Sequence, residues 1–196
     1  MEDINKENEM KKPEKKNKKK KSALSEFVSF LFPIFLAFIV AILLKTFVFA
    51  NAVVPTGSML NTIQQGDRII ASRLSYKDTD PERYDIVIFK FPDDEDQFFV
   101  KRVIGLPNET VEIVNGVVYV TKADGETIQL ENDFVTNCVP TGDYGPFEVP
   151  EGCYFMLGDN RNGSHDSRFW NNKYVEKDKI VGKVMFKYFP GISKIE

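Results

Sequence analysis

Of the 196 residues, about 145 remain for a folded part once an N-terminal stretch unlike the rest is set aside, enough for one domain with a core and too few for a second catalytic one. The net charge of −3 hides an asymmetry: residues 1–50 carry 10 Lys/Arg against 6 Asp/Glu, and residues 51–196 carry 16 against 23. A single histidine and two cysteines leave little from which to build a zinc site of nitrogen and sulfur ligands, which disfavours metal-assisted hydrolysis.

Nine lysines fall within the first 21 residues, in a segment with almost nothing apolar to bury, so residues 1–26 are expected to be a disordered tail. Such a run could bind nucleic acid, but it stops just before Phe27–Leu44, eighteen residues without a charge, and a juxtamembrane topology signal is the better reading. The apolar stretch resumes after Lys45 and predicts an anchor helix over 27–50, about 36 Å long against ~30 Å of hydrocarbon. With the lysines held inside, the N-terminus is cytoplasmic and 51–196 is extracytoplasmic. Ala50-Asn51-Ala52 resembles a small-x-small cleavage site, but an apolar core of this length exceeds that of a removable signal.

Beyond residue 51 the apolar pattern breaks into short runs rich in Val, Ile, Phe and Tyr between Gly, Pro, Asp and Asn. Strands are predicted at Arg68–Ala71, Ile86–Phe91, Phe98–Ile104, Val111–Val114, Val117–Thr121, Thr127–Leu130, Tyr154–Leu157 and Ile180–Phe189. Asn115-Gly116 between two of them suits a two-residue hairpin turn. The fold class is therefore mainly β, preceded by one transmembrane helix. Cys138 and Cys153 both fall on the outer side, where a disulfide is permitted; the loop between them could be closed by one, the alternative being two buried thiols.

Chemistry has few candidates. His165 is flanked by Ser164 and Asp166, yet neighbours on an extended chain point apart, so it reads as an exposed loop residue rather than the centre of a triad. Without histidine, a serine nucleophile needs another base, and a lysine serves if burial lowers its pKa. Period-two alternation places Lys101 on one face with Phe99 and Val103, with Arg102 opposite. Such a lysine is either snorkelling at a sheet edge or buried as a working amine, and pattern alone favours the edge. In Val54-Pro-Thr-Gly-Ser-Met-Leu60 the proline and glycine shape a turn around Ser58, from which the Ser58 N–H and the Thr56 hydroxyl could face a developing oxyanion. None of the nine serines has a lysine three residues later, which excludes the S-x-x-K arrangement.

Five blocks occur in order: Pro55-Thr-Gly-Ser-Met59, Gly66-Asp-Arg68, Arg83-Tyr-Asp-Ile-Val87, Val100-Lys-Arg-Val-Ile-Gly-Leu-Pro107 and Gly158-Asp-Asn-Arg-Asn-Gly-Ser-His-Asp-Ser-Arg168. Together they closely resemble the boxes of bacterial type I signal peptidases, over roughly residues 25–190. The resemblance implies an antiparallel β domain acting as a membrane-bound serine endopeptidase that cuts signal peptides from preproteins after Ala-x-Ala motifs, through an acyl-enzyme. Ser58 matches the nucleophile, Lys101 the base, Thr56 the partner of the Ser58 N–H in the oxyanion hole, and Ser164 the serine that orients the lysine amine. Asp166 and Arg168 match a supporting pair. Shallow pockets lined by Val54, Pro55, Met59, Phe99 and Val100 would select small side chains. The expected partners are preprotein signal peptides, the lipid bilayer and a nearby secretion translocon, with no nucleic acid, no metal and no cofactor. Asn162-Gly163 and Asn108 depart from the usual pattern at their positions.

Two other readings compete. A self-cleaving repressor-type peptidase would carry a DNA-binding domain where this chain has an apolar span. A catalytically silent envelope-binding domain would keep its function after Ser58→Ala.

Overall fold

The computed structural model describes residues 23–139 and 142–195, so the lysine-rich tail lies, up to residue 22, outside the described residues. Helix α1 runs from Ala23 to Leu43 and contains Pro33. A π-helical turn over Leu44–Val48 then leads straight into strand β1, Phe49–Val53. Residues Phe27–Val48 form the one segment among the described residues that is helical, long and apolar enough to cross a membrane. The helix thus starts earlier and the span ends earlier than the 27–50 expected. Phe49 and Ala50 belong to β1, paired with Ser72 and Ala71. Ala50-Asn51-Ala52, similar to a cleavage site on paper, is an interior stretch of that strand, with Ala50 buried in the core.

The folded unit is built from two antiparallel sheets. The larger has β2 (Arg68–Ser72), β3 (Ile86–Phe91), β4 (Asp94–Gly105), β9 (Cys153–Leu157), β10 (Tyr174–Glu176) and β11 (Ile180–Phe189) in the order β1-β2-β11-β3-β4-β9-β10, with β12 (Ser193–Lys194) paired to β11. The smaller orders β5 (Thr110–Val114), β6 (Val117–Thr121), β7 (Thr127–Gln129) and β8 (Tyr144–Glu148) as β7-β6-β5-β8. The turn between β5 and β6 has Asn115 at φ 50° and Gly116 at φ 79°, the left-handed pair that a two-residue hairpin requires.

Alternation along the central strands supplies separate cores on the two faces. Ile86 and Ile88 of β3 pack with Met59, Ile63, Ile69 and Val184, while Val87 and Phe89 pack with Val103, Met156 and Trp170. β9 divides in the same way, sending Tyr154 and Met156 to that second core and Phe155 and Leu157 to a third, shared with Val111, Val118 and Val120 of the smaller sheet. Cys138 and Cys153 are free thiols, which corrects the expected disulfide. Cys153 opens β9 opposite Glu176, whereas the Cys138 thiol donates to the Gly116 carbonyl at the end of the smaller sheet.

Two ion pairs tie loops to this frame, the first partly and the second fully buried. Arg83 grips Glu109 with both terminal nitrogens, at 3.0 and 2.6 Å. Arg102 grips Asp159 at 2.9 and 2.8 Å, donates to the Tyr84 carbonyl, and lies 4.0 Å from the Phe134 ring centre. Removing one partner of a fully buried pair strands the other charge, so Asp159→Ala should destabilise the fold by about 3–5 kcal/mol. Urea unfolding of the Asp159→Ala and Arg102→Met/Asp159→Leu variants checks this, with the double substitution expected to recover much of the loss.

Candidate active site

Ser58 sits in the loop between β1 and β2. That loop is held at its base by Val54 N–H to Asp67 O and Gly66 N–H to Val54 O, and it is anchored from inside by Met59 and Ile63 in the core. Lys101 comes from the middle of β4, in register with Val87, and shares its face with Phe99, whose ring centre lies 5.3 Å from Nζ. β4 lies in the interior of the larger sheet, between β3 and β9, so Lys101 is not the snorkelling edge residue that the pattern favoured. It is 4% exposed and Ser58 is 6% exposed. Lys101 Nζ lies 2.7 Å from Ser58 Oγ, and the amine also donates to the Val100 carbonyl at 3.2 Å.

Burial pushes the Lys101 amine down from its ordinary value of 10.5 to about 8, against the opposing pull of the Asp166 and Asp159 carboxylates. A neutral amine is then accessible near neutral pH and can accept a proton from a hydroxyl within hydrogen-bond reach. Thr56 Oγ1 lies 3.4 Å from Ser58 Oγ.

Val54, Pro55, Met59, Phe99 and Val100, expected to line the pockets, all border one cleft of about 460 Å³ together with Thr56, Ser58 and Lys101. Ala52, Val53, Ile88, Gln97 and Phe98 border it too and were missed, because their strand positions say which face they occupy without saying what crosses it. His165 is exposed, as expected, at the cleft margin beside Gly163.

Asp166 and Arg168 form the expected ion pair, Nε to Oδ1 at 2.7 Å and Nη2 to Oδ2 at 2.9 Å, and Asp166 also accepts the Gly158 N–H at 3.1 Å. Ser164 is buried close by, but the expected hydrogen bond to the lysine is not formed, and its Oγ has no hydrogen-bond partner among the described residues. Gly158 is enclosed: a Cβ there would stand 2.2 Å from Ser164 Oγ and 2.6 Å from the Ser58 carbonyl oxygen. The loop that carries Ser164 therefore passes the nucleophile turn at a distance only glycine permits. Asn160 and the Arg102–Asp159 pair, which also hold this loop, stand within the quoted sequence blocks, but no feature of the sequence assigned them a contact.

The signal peptidase family, peptidase S26, matches residues 24–189. A probable signal peptidase I-1 of Synechocystis sp. is 38% identical over 161 residues, covering 79% of this chain and 78% of that one. A signal peptidase I of Bacillus caldolyticus is 39% identical over 166 residues, covering 81% and 89%. A solved signal peptidase I structure from Enterococcus faecalis aligns over 53% of this chain and 95% of its own, at 33% identity and a TM-score of 0.43. With matches spanning the apolar helix through β11, the chain belongs to the signal peptidase family, peptidase S26, and is a serine endopeptidase with type I signal peptidase activity toward preproteins.

Proposed function

We propose that this peptidase works through a Ser58/Lys101 dyad, and the observation that carries the proposal is the 2.7 Å approach of a buried amine, in no ion pair among the described residues, to a buried serine hydroxyl. The neutral amine of Lys101 takes the Ser58 proton as Oγ attacks the scissile carbonyl. The Ser58 N–H and the Thr56 hydroxyl stabilise the oxyanion, and the protonated amine passes its proton to the leaving nitrogen. Water, activated by the same amine, then hydrolyses the acyl-enzyme and restores Ser58. Ser164, buried close by with its hydroxyl uncommitted, turns that hydroxyl to the amine and steadies it during turnover, while Asp166 and Arg168 hold the loop that carries Ser164.

The cleft formed by Val54, Pro55, Met59, Phe99 and Val100 selects small side chains at the first and third positions before the cut, which is the Ala-x-Ala preference, because bulky groups do not fit shallow apolar walls. The chain is anchored in the cell membrane by Phe27–Val48, with the lysine-rich N-terminus cytoplasmic, the β domain extracytoplasmic and substrates received near the translocon. Confinement of enzyme and signal peptide to one bilayer raises their effective concentration.

In detergent or lipid, Ser58→Ala and Lys101→Ala should each lower cleavage of an Ala-x-Ala preprotein by a factor on the order of 10³ or more. For the wild type, kcat/KM should rise about tenfold per pH unit on the acid side and level off above a pKa of about 8. Normal cleavage by Lys101→Ala would rule the dyad out. The same burial has a stability consequence of definite sign. The folded chain binds the Lys101 proton less tightly than the unfolded chain, so it carries a penalty of roughly 3 kcal/mol below pH 8 that fades as pH rises toward 10.5. Lys101→Met should therefore be more stable than wild type at pH 7, by denaturant midpoint, with the gap narrowing above pH 8.

A further inference from the structure

Asn160 follows Gly158 and Asp159 and makes two contacts with the nucleophile turn, 103 residues away in sequence. Its side-chain Nδ2 donates to the Gly57 carbonyl at 2.8 Å, and its backbone N–H donates to the Ser58 carbonyl at 3.0 Å. The Gly57 carbonyl can only accept, which sets Nδ2 of the amide toward it, and Asn160 Oδ1 on the other side accepts from Asn137 Nδ2 at 3.1 Å. The Asn137 segment is itself laid alongside: Thr136 N–H donates to Asp159 O, Arg161 N–H to Thr136 O, and Thr136 Oγ1 to Leu60 O on the far side of Ser58.

The Gly57 carbonyl and the Ser58 N–H belong to one planar trans peptide and point in opposite directions. Neither Gly57 nor Asn160 borders the cleft, whereas Thr56 and Ser58 do. The carbonyl is held by the Asn160 amide, and by the Leu60 N–H at 3.3 Å, among residues that do not border the cleft, which leaves the opposed Ser58 N–H to face the cleft. We propose that Asn160 is a positioning residue for the peptidase reaction, holding the Gly57–Ser58 peptide so that the Ser58 N–H meets the oxyanion. This rests on the reading of Ser58 as nucleophile and oxyanion donor, which Ser58→Ala tests separately: cleavage surviving that change overturns the dyad, whatever Asn160 does.

The decisive variants are Asn160→Ala, which removes the donor, and Asn160→Asp, nearly the same shape but with a carboxylate oxygen facing the Gly57 carbonyl. On an Ala-x-Ala preprotein, both should lower kcat by about 10- to 100-fold with KM within about twofold of wild type. In Asn160→Ala, which adds no charge, the acid limb of the pH profile should stay in place, since the lysine is untouched. A peptide aldehyde ending in Ala-x-Ala supplies a readout that loss of folding alone would not reproduce. Its carbonyl carbon bonds to Ser58 Oγ while the serine proton passes to the carbonyl oxygen, and that oxygen occupies the oxyanion position. Its inhibition constant should rise by about the same factor as kcat falls, in protein whose thermal midpoint matches wild type. Either variant retaining kcat and aldehyde affinity within about twofold of wild type, or showing a raised KM at unchanged kcat, would overturn the assignment. A displaced acid limb in Asn160→Ala would overturn it too, by placing the effect on Lys101.

Discussion

An amine held 4% exposed against a serine hydroxyl is the constraint around which the catalytic unit is arranged. A buried ammonium is costly, and a lysine on an interior strand survives there by giving up its proton more easily. β4 meets this demand by alternation. Lys101 points to Ser58 from one face, and its neighbour Arg102 leaves the other face to grip Asp159. The same two adjacent residues thus deliver the base and fasten the loop after β9, which brings Gly158, Asn160, Ser164 and Asp166 around the nucleophile turn. A one-residue slip of β4 would exchange the two, which explains why its register against β3 matters more than that of any edge strand.

Where β-branched and aromatic runs are bounded by turn residues, the strands are legible in the sequence: Ile86–Phe91, Val117–Thr121 and Ile180–Phe189 have the bounds that composition and flanking residues indicate. β8 was hidden because Tyr144-Gly-Pro-Phe-Glu148 carries two strand breakers, and it exists through pairing with β5. β10 and β12, at three and two residues, are too short to show a period. The join between anchor and domain was misplaced for another reason. From Phe47 to Val53 only Asn51 is polar, and hydropathy cannot separate the end of a membrane span from a strand that buries Ala50 against β2.

The site shows the same division between local and distant information. Ser58, Lys101, Asp166 and Arg168 stand in motifs whose order alone suggests them, and all five expected cleft-wall residues lie within four positions of the dyad in sequence. The edge or interior placement of Lys101 was open, because alternation along one strand is silent about what flanks it. Asn160 was invisible for a related reason. Its partners are backbone carbonyls, which every residue has, so nothing in their identity advertises the contact.

Two carboxylates near the lysine raise the question of why it can lose its proton at all. Asp166 and Asp159 are buried to 0% and 1% exposure and both pull the Lys101 proton back. An unpaired carboxylate in that low-dielectric setting would hold the ammonium strongly and leave the amine a poor base. Each is instead committed to an arginine through two hydrogen bonds, Asp166 to Arg168 and Asp159 to Arg102. Arginine keeps its charge at any working pH, so each pair presents the lysine with a nearly cancelled dipole in place of a bare anion. The burial of Lys101 then prevails, and its pKa falls to about 8. The two ion pairs consequently serve more than the shape of the loop: by neutralising the acids that the loop brings close, they keep the amine available as a base.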